Sequence, residues 1–449
     1  MKAKVWRITF FCAAALLLTT EAHAVDLDLA RFATVKQKQI RENAETLTNK
    51  VPAIVWNFFD AVRVDDWETA TNLAERIMQA SGRYTNSVEN ESVSPTFKTL
   101  IWPSISEMIG TYEQFHEWDN KWLHRFGSEI IDSIPEGSIY FGGTDPGRFI
   151  ISALIEPKEN GKRFFVLTQN QLADHTYLEY LRTRYGKKLY IPTDEDSQNC
   201  FQEYTTSAQH RLEQGGGLKP GEDVHVVNGR VQVSGTVAVM AINGLLVRVI
   251  FDKNPGREFY IEESYPLDWM YPYLSPHGLI FQLHDRPLSE LSSVRVEKDQ
   301  DYWSRLTGEL IGKWLTNDTP IKEVCDFSDK VFLDKNLDGF KGDPGYVKSK
   351  DVQKTFSKLR SSLAGMYAWR AEHARDADKK VQMRIAADLA FRQAYAICPY
   401  SPEAIYNYAV FLVKCKRADD AFCLVKTSLR LDPDNGQLRD LIKWIRAAQ

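Results

Sequence analysis

The sequence predicts a mixed fold in three parts. These are a helical N-terminal region, a central α/β domain with a mainly parallel sheet, and a C-terminal α-helical region built on a tetratricopeptide-like repeat. Three observations predict it. Apolar residues recur with helical spacing in several stretches before residue 131. Strand, loop and helix patterns then alternate three times between residues 138 and 212, as in a parallel sheet with right-handed crossovers. Near the C-terminus, four positions recur at an offset of 34 residues. A chain of 449 residues that is 43% hydrophobic and 12% aromatic has enough apolar surface for cores in all three parts.

Residues 1–24 read as a secretory signal peptide. Lys2, Lys4 and Arg7 form a basic start, residues 8–18 an apolar run, and Ala22-His23-Ala24 puts small residues where a signal peptidase cuts, before Val25. The run is shorter than the ~20 apolar residues that span a bilayer. Cys12 lies inside it, so no lipid anchor is expected. The expected location is exported, periplasmic or extracellular, with no membrane span after cleavage. The remaining chain divides into a helical region at 25–131, the α/β domain at 132–290, a connecting segment at 291–355 and the repeat region at 356–449.

In the helical region, Leu27, Phe32, Val35 and Ile40 open one apolar face. Residues 51–63 and 66–81 form a helical hairpin about Val64-Asp65-Asp66, stopped by Gly82. Residues 84–95 are polar and read as a loop. Residues 104–131 read as a long helical region whose Phe115, Trp118, Trp122 and Phe126 belong to a core.

In the α/β domain, residues 138–141, 163–167 and 188–191 are the strands of the three units, and 148–154, 174–185 and 197–212 are their helices. Residues 215–221 are glycine-rich and read as a linker. Asn228-Gly229 marks a hairpin between 223–227 and 230–234, because both turn positions tolerate positive φ. Residues 237–252 read as a buried helix, since their apolar stretch at 237–251, the longest, carries Asn243 and Arg248 and is short for a span. Residues 259–262 and 279–283 are further strands, with an aromatic turn-helix at 269–273 between them.

In the repeat region, Ala387, Phe391, Ala394 and Pro399 recur as Ala421, Val425, Ser428 and Pro433. This is the period and the small/large/small/Pro pattern of a tetratricopeptide repeat. Residues 402–414 supply the first helix, with Tyr408, Ala409 and Leu412 inward, and 418–431 the second. One complete repeat falls short of the roughly three units needed for independent stability, so it must lean on neighbours such as 356–374. Trp67 and Ala70 fit the same two-helix shape.

The leading candidate site is the loop Gly142-Gly143-Thr144-Asp145 with Arg148. In an open parallel sheet, ligands sit beyond the carboxyl ends of strands. Glycines admit a ligand to the backbone, and helix N-termini favour anions. Asp145 can accept hydrogen bonds from sugar hydroxyls, and Arg148 can grip a phosphate or carboxylate. Asn170, Asp174, Thr193 and Asp194 follow the next two strands at the same edge. The competing reading makes Asp145 and Asp174 helix caps and Arg148 a paired surface cation. The loop is neither a dinucleotide fingerprint nor a Walker motif, so no nucleotide class follows.

Asp334, Asn336 and Asp338, with Gly339, match the opening of a calcium loop. Position 12 is Gly345 where a bidentate Glu belongs, so turn formation is the preferred reading and no resident metal or cofactor is expected. Glu262, Glu263, Asp268 and His277 suggest acid–base chemistry, but neighbouring strand residues point to opposite faces, and structural roles are preferred. Tyr265, Trp269, Tyr271 and Tyr273 suit sugar stacking or, as preferred, packing. Cys200, Cys325, Cys398, Cys415 and Cys423 lack zinc spacing and are too sparse for a disulfide framework, though one pair is compatible with an oxidising compartment. A net charge of −4 argues against a nucleic-acid partner.

The segments GSIYFGGTDPGRF, FFVLTQNQLADHTYLEYL and FYIEESYPLDWMYPYLSPHGLI resemble the soluble C-terminal region of bacterial membrane proteins of the protein O-mannosyltransferase type, a domain of unknown function often followed by tetratricopeptide repeats. The resemblance covers roughly residues 100–290. In such proteins a membrane-embedded transferase half precedes this region and carries the expected catalytic carboxylates. Here a signal peptide stands in its place. The resemblance therefore implies an acceptor- or glycan-binding role around Gly142, Gly143, Thr144, Asp145 and Arg148, with no transferase activity of the chain alone.

The expected function is that of an exported, non-enzymatic binding or scaffold protein. Its repeat helices would bind protein partners and its α/β edge a glycan or anionic ligand, in envelope assembly or glycosylation. The alternatives are a soluble enzyme acting on sugars or phosphate esters through Asp145 and Arg148, and a purely structural scaffold.

Overall fold

The computed structural model describes residues 26–45, 51–80, 101–159, 163–213, 222–227, 230–262 and 267–448. The expected signal peptide, the 84–95 loop, the 215–221 linker, the Asn228-Gly229 turn, Glu263 and Tyr265 lie outside these residues. The chain is mostly helical, with helices at both ends and a small mixed sheet in the middle.

Three helices open the fold: α1 (Leu27–Ala44), α2 (Ala53–Arg63) and α3 (Trp67–Ala80). Asp26 caps α1 by accepting from Asp28 N at 2.8 Å. The helical region expected at 104–131 is two helices, α4 (Trp102–Glu117) and α5 (Asn120–Ile131). Trp118 is extended between them, and Asp119 accepts from Lys121 N at 3.0 Å. A side chain that satisfies a free N–H of the next helix competes with continuing the previous one. Phe32, Phe58, Phe59, Ile105 and Met108 form the N-terminal core, which reaches Ala153 of the next helix.

The sheet runs in the order β2-β1-β5-β7-β6. Its strands are β1 (Ile139–Gly142), β2 (Phe165–Thr168), β5 (Phe259–Glu262), β6 (Leu274–His277) and β7 (Ile280–Leu283). β1 pairs in parallel with β2 and β5, whereas β7 pairs antiparallel with β5 and β6, so the sheet is mixed where a mainly parallel one was expected. Residues 188–191 form no strand. Lys188 ends a 3₁₀ turn, and the Asn254 side chain takes both backbone groups of Tyr190, at 2.8 and 3.1 Å, which removes the need for a strand neighbour. The unexpected strand β6 contains Pro276, which an edge strand tolerates. A separate hairpin pairs β3 (Asp223–Val227) with β4 (Arg230–Ser234).

The crossover helices are α6 (Asp145–Glu159), α7 (His175–Tyr185), α8 (Asp194–Glu213) and α9 (Gly235–Lys253). The apolar helix α9 is not fully buried. It is long and apolar enough to cross a membrane, yet only 39% of its apolar window is covered, and Val239 is exposed. Its inner face, with Asn243, Leu246, Val247 and Ile250, packs into the fold.

Beyond the sheet come α10 (Ser293–Ile311), α11 (Ile321–Ser328), the short α12 (Pro344–Lys348), α13 (Lys350–His373), α14 (Ala377–Ile397), α15 (Pro402–Lys414), α16 (Ala418–Leu431) and α17 (Gly436–Ala447). Neighbours in this series pack on one another from α13 to α17. Ala387, Phe391, Ala394, Tyr408, Ala409, Leu412, Ala421 and Val425 are buried at these contacts, and Phe391 stacks on Tyr408 at 5.6 Å. Pro399 is buried and Pro433 is exposed. One apolar core runs without interruption from Trp118 through the sheet to Ile445.

Candidate functional site

The loop from β1 into α6 folds around a carboxylate supplied by the chain itself. β1 and β5 are parallel neighbours in register Gly142↔Glu262, so Glu262 reaches the carboxyl end of the sheet beside the start of α6. Its side chain is fully buried. The Gly143 and Thr144 amides donate to Glu262 Oε2 at 3.1 and 3.0 Å, and the Thr144 hydroxyl donates to Oε1 at 2.7 Å. Gly147 N donates back to Thr144 Oγ1 at 3.1 Å. The anion that a glycine-bearing helix start attracts is thus an internal glutamate. Burial raises the Glu262 carboxyl above its ordinary range, against the Thr144 and Gly143 hydrogen bonds that favour its anion. The glycines are required by close approach. A Cβ at Gly147 would lie 1.8 Å from Glu262 Oε2, and one at Gly142 would lie 2.9 Å from Gly147 O.

The loop is braced from the side. Asn170 Nδ2 donates to Gly143 O at 2.7 Å, and Asn243 Nδ2 donates to Asn170 O at 3.1 Å. Asn243 Oδ1 accepts from Ala173 N at 2.6 Å. One buried amide of the apolar helix α9 therefore positions the loop after β2, which positions the loop after β1.

Outside this knot, Asp145 points to solvent and pairs with Arg148 at 2.9 Å, while the Arg148 guanidinium lies 4.1 Å from the Phe149 ring centroid. Two groups not anticipated from the sequence join them. Glu113 and Glu117 of α4 feel the Asp145 charge. Desolvation, then Glu117, then Asp145 raise the Glu113 carboxyl, and Arg148 opposes them. Desolvation and Asp351 raise Glu117. Helical spacing of Glu113 and Glu117 was the one available signal, and nothing local tied that face to residue 145.

The other expected residues are held separately. Asp174 caps α7, accepting from Thr176 N at 2.8 Å and Thr176 Oγ1 at 2.6 Å. It also borders a narrow cleft of about 20 Å³ with Trp102, Glu107, Phe149 and Thr168. Thr193 bonds Asp196, its Oγ1 donating to Oδ2 at 2.9 Å. Asp194 pairs with His175 Nδ1 at 3.1 Å and Arg182 at 3.2 Å. His175, Glu179 and Asp194 are close enough to share a cation, but Arg182 also pairs with Glu179 and occupies that charge.

At the calcium-like segment, Asn336 Oδ1 accepts from Asp338 N at 2.8 Å, and the Lys330 ammonium donates to Asp338 O at 2.6 Å. Lys335 and Gly339 adopt positive φ of 55° and 72°, as a turn of this composition requires. His277 Nε2 lies 2.9 Å from Ser133 O, and burial lowers its pKa. Asp268 opens a 3₁₀ turn whose Trp269 and Tyr273 pack on Phe251, and Tyr271 stacks on Trp369 at 5.5 Å.

A second surface lies at the C-terminal helices. Tyr406 on α15 is 58% exposed and Trp444 on α17 is 45% exposed. They flank a groove of about 590 Å³ whose walls also carry Tyr400, Glu403, Asp432 and Asp440. Asn407 lies beside Tyr406, its Nδ2 3.3 Å from Ser361 Oγ.

No family model, no curated protein and no solved structure matches the chain.

Proposed function

We propose that the protein is an exported scaffold that captures a peptide segment in the groove between α15 and α17. The observation that carries this reading is the pair of exposed aromatics, Tyr406 and Trp444, on a groove with acidic walls. Large aromatics left in water are the usual anchors of interfaces. Glu403 and Asp440 are paired with Lys358 and Lys443, and Asp432 selects the chemistry of the occupant: a segment with an apolar anchor flanked by Lys or Arg. The repeat of Ala387, Phe391 and Ala394 at Ala421, Val425 and Ser428 supports a tetratricopeptide-like origin for these helices. The basic start and apolar run of residues 1–24 support export to the periplasm or beyond. The resemblance of the central segments to the soluble region of O-mannosyltransferase-type proteins supports work in envelope assembly or surface glycosylation.

The test is binding of a peptide series, Leu- or Phe-centred and flanked by Lys, by Asp or by Ser, to the full chain and to Tyr406→Ala and Trp444→Ala. Lys-flanked peptides are expected to bind best, and each variant to lose at least about tenfold in affinity. Equal binding of acidic and basic peptides, or unchanged affinity in both variants, removes the reading.

A second reading is favoured by Asp145 and Arg148, which pair at 2.9 Å at the start of α6. A carboxylate and a guanidinium at a helix start suit a sugar or phosphate ester. In this reading a phosphosugar raises Tm of the full chain and leaves Arg148→Ala unshifted. A shift that persists in Arg148→Ala places the ligand elsewhere.

A further inference from the structure

The Cys325 and Cys423 sulfurs are 3.5 Å apart. Cys325 is on α11, in the segment between the sheet and the repeat helices, and Cys423 is on α16. The two helices pack directly, so the thiols are apposed by the core and not by a mobile loop. Both are free thiols, Cys325 buried and Cys423 half-buried. We infer that this pair is a disulfide site, closed when the protein meets an oxidising environment. This goes beyond the peptide-capture reading and does not depend on it.

The asymmetry of the pair sets the order of events. Cys423 is the less buried of the two. Its thiolate attacks a low-molecular-weight disulfide such as oxidised glutathione, forming a mixed disulfide and releasing one small thiol. Cys325 then loses its proton and attacks the Cys423 sulfur, and the second small thiol leaves. In total two protein thiols become one disulfide, two electrons reduce the small disulfide, and its two halves take up the protons. Burial, together with the nearby Cys423, pushes the Cys325 thiol up, so it is inert on its own.

The bond would close a loop across a separation of 98 residues. Long loops restrict the unfolded chain most, so the oxidised form gains stability chiefly through the denatured state. It would also fasten α16, which contributes Ser428 to the groove and leads into Asp432, to a helix outside the repeat series.

The test treats the folded full chain with oxidised glutathione, blocks remaining thiols, and maps peptides without reduction. The expected result is a cross-linked peptide joining residues 325 and 423, formed in wild type and in Cys415→Ser, and absent from Cys423→Ser. Tm of the oxidised wild type should exceed that of the reduced protein by about 3–6 °C, a difference missing in Cys423→Ser. The map on wild type needs no variant to fold. Recovery of Cys325 and Cys423 both blocked as free thiols overturns the inference, as does a cross-link of either residue to another cysteine.

Discussion

Glu262 is the residue on which the central site turns. It sits in a place built to receive an anion, yet its burial raises its pKa above the ordinary 4.5. A carboxyl whose pKa is raised on folding binds more protons in the folded state. Its contribution to stability is full below the unfolded value and is lost as pH rises through the folded value. Glu262→Gln keeps an acceptor for the Gly143 and Thr144 amides and cannot ionise. Urea midpoints measured between about pH 4 and pH 8 should therefore show the variant gaining on wild type as pH rises. A difference independent of pH would mean that Glu262 does not titrate in this window.

At the scale of elements, the junction of the N-terminal helices with the α/β layer is held by buried charge. Lys36 of α1, fully buried, pairs with Glu107 of α4 and lies 3.0 Å from Glu156 of α6. Arg184 of α7 completes the group through Glu156 and donates to Tyr180 OH at 2.7 Å. Burial opposes the charged form of Glu156, but Arg184 and Lys36 outweigh it and hold the carboxyl below its ordinary range. A depressed carboxyl contributes stability above its unfolded value and loses it as pH falls through the folded one. Lys36→Met leaves the carboxylates short of one cation. It should destabilise by about 3–5 kcal/mol, since a buried pair is broken and not replaced. Its acid-unfolding midpoint should also lie at higher pH than that of wild type. Fluorescence-monitored acid titration of both proteins checks this, and equal midpoints would show that Lys36 does not hold Glu156 charged.

At the scale of the molecule, the sheet and the C-terminal helices share one core, and a second buried pair ties together the helices beyond the sheet. Arg360 of α13 donates to Asp299 of α10 at 2.8 Å and to Gln393 of α14 at 2.8 Å, over the face of Trp303. Tyr367 OH donates to the same Asp299 oxygen at 3.0 Å. Arg370 clasps the sheet side, donating to Leu274 O at 3.0 Å and Leu288 O at 2.9 Å. Arg360→Met should cost about 3–5 kcal/mol by stranding Asp299, and calorimetry should show the loss in the whole transition from the sheet to the last helix. Separate loss of a C-terminal transition with the rest unmoved would mean that the two parts fold independently.

Much of the secondary structure was legible in the residues themselves. The helices at 402–414 and 418–431, the hairpin strands at 223–227 and 230–234, and the strand at 259–262 appear as their periodicity and turn residues dictate. Such patterns are set by neighbours three or four positions away in a helix and two in a strand. The misplaced elements were those where a distant side chain or a cap competes with the local pattern: Asn254 takes the backbone of Tyr190, and Asp119 divides the 104–131 helix. The site divides the same way. The sequence by itself determined a glycine-bearing loop at a strand end with Asp145, Arg148 and Asn170 close by. Only the tertiary structure decided that Glu262, 119 residues away, fills that loop, and that Cys325 meets Cys423. The physical reason is that a hydrogen bond or a thiol contact is a matter of a few ångströms, and those distances are set by the packing of the whole core.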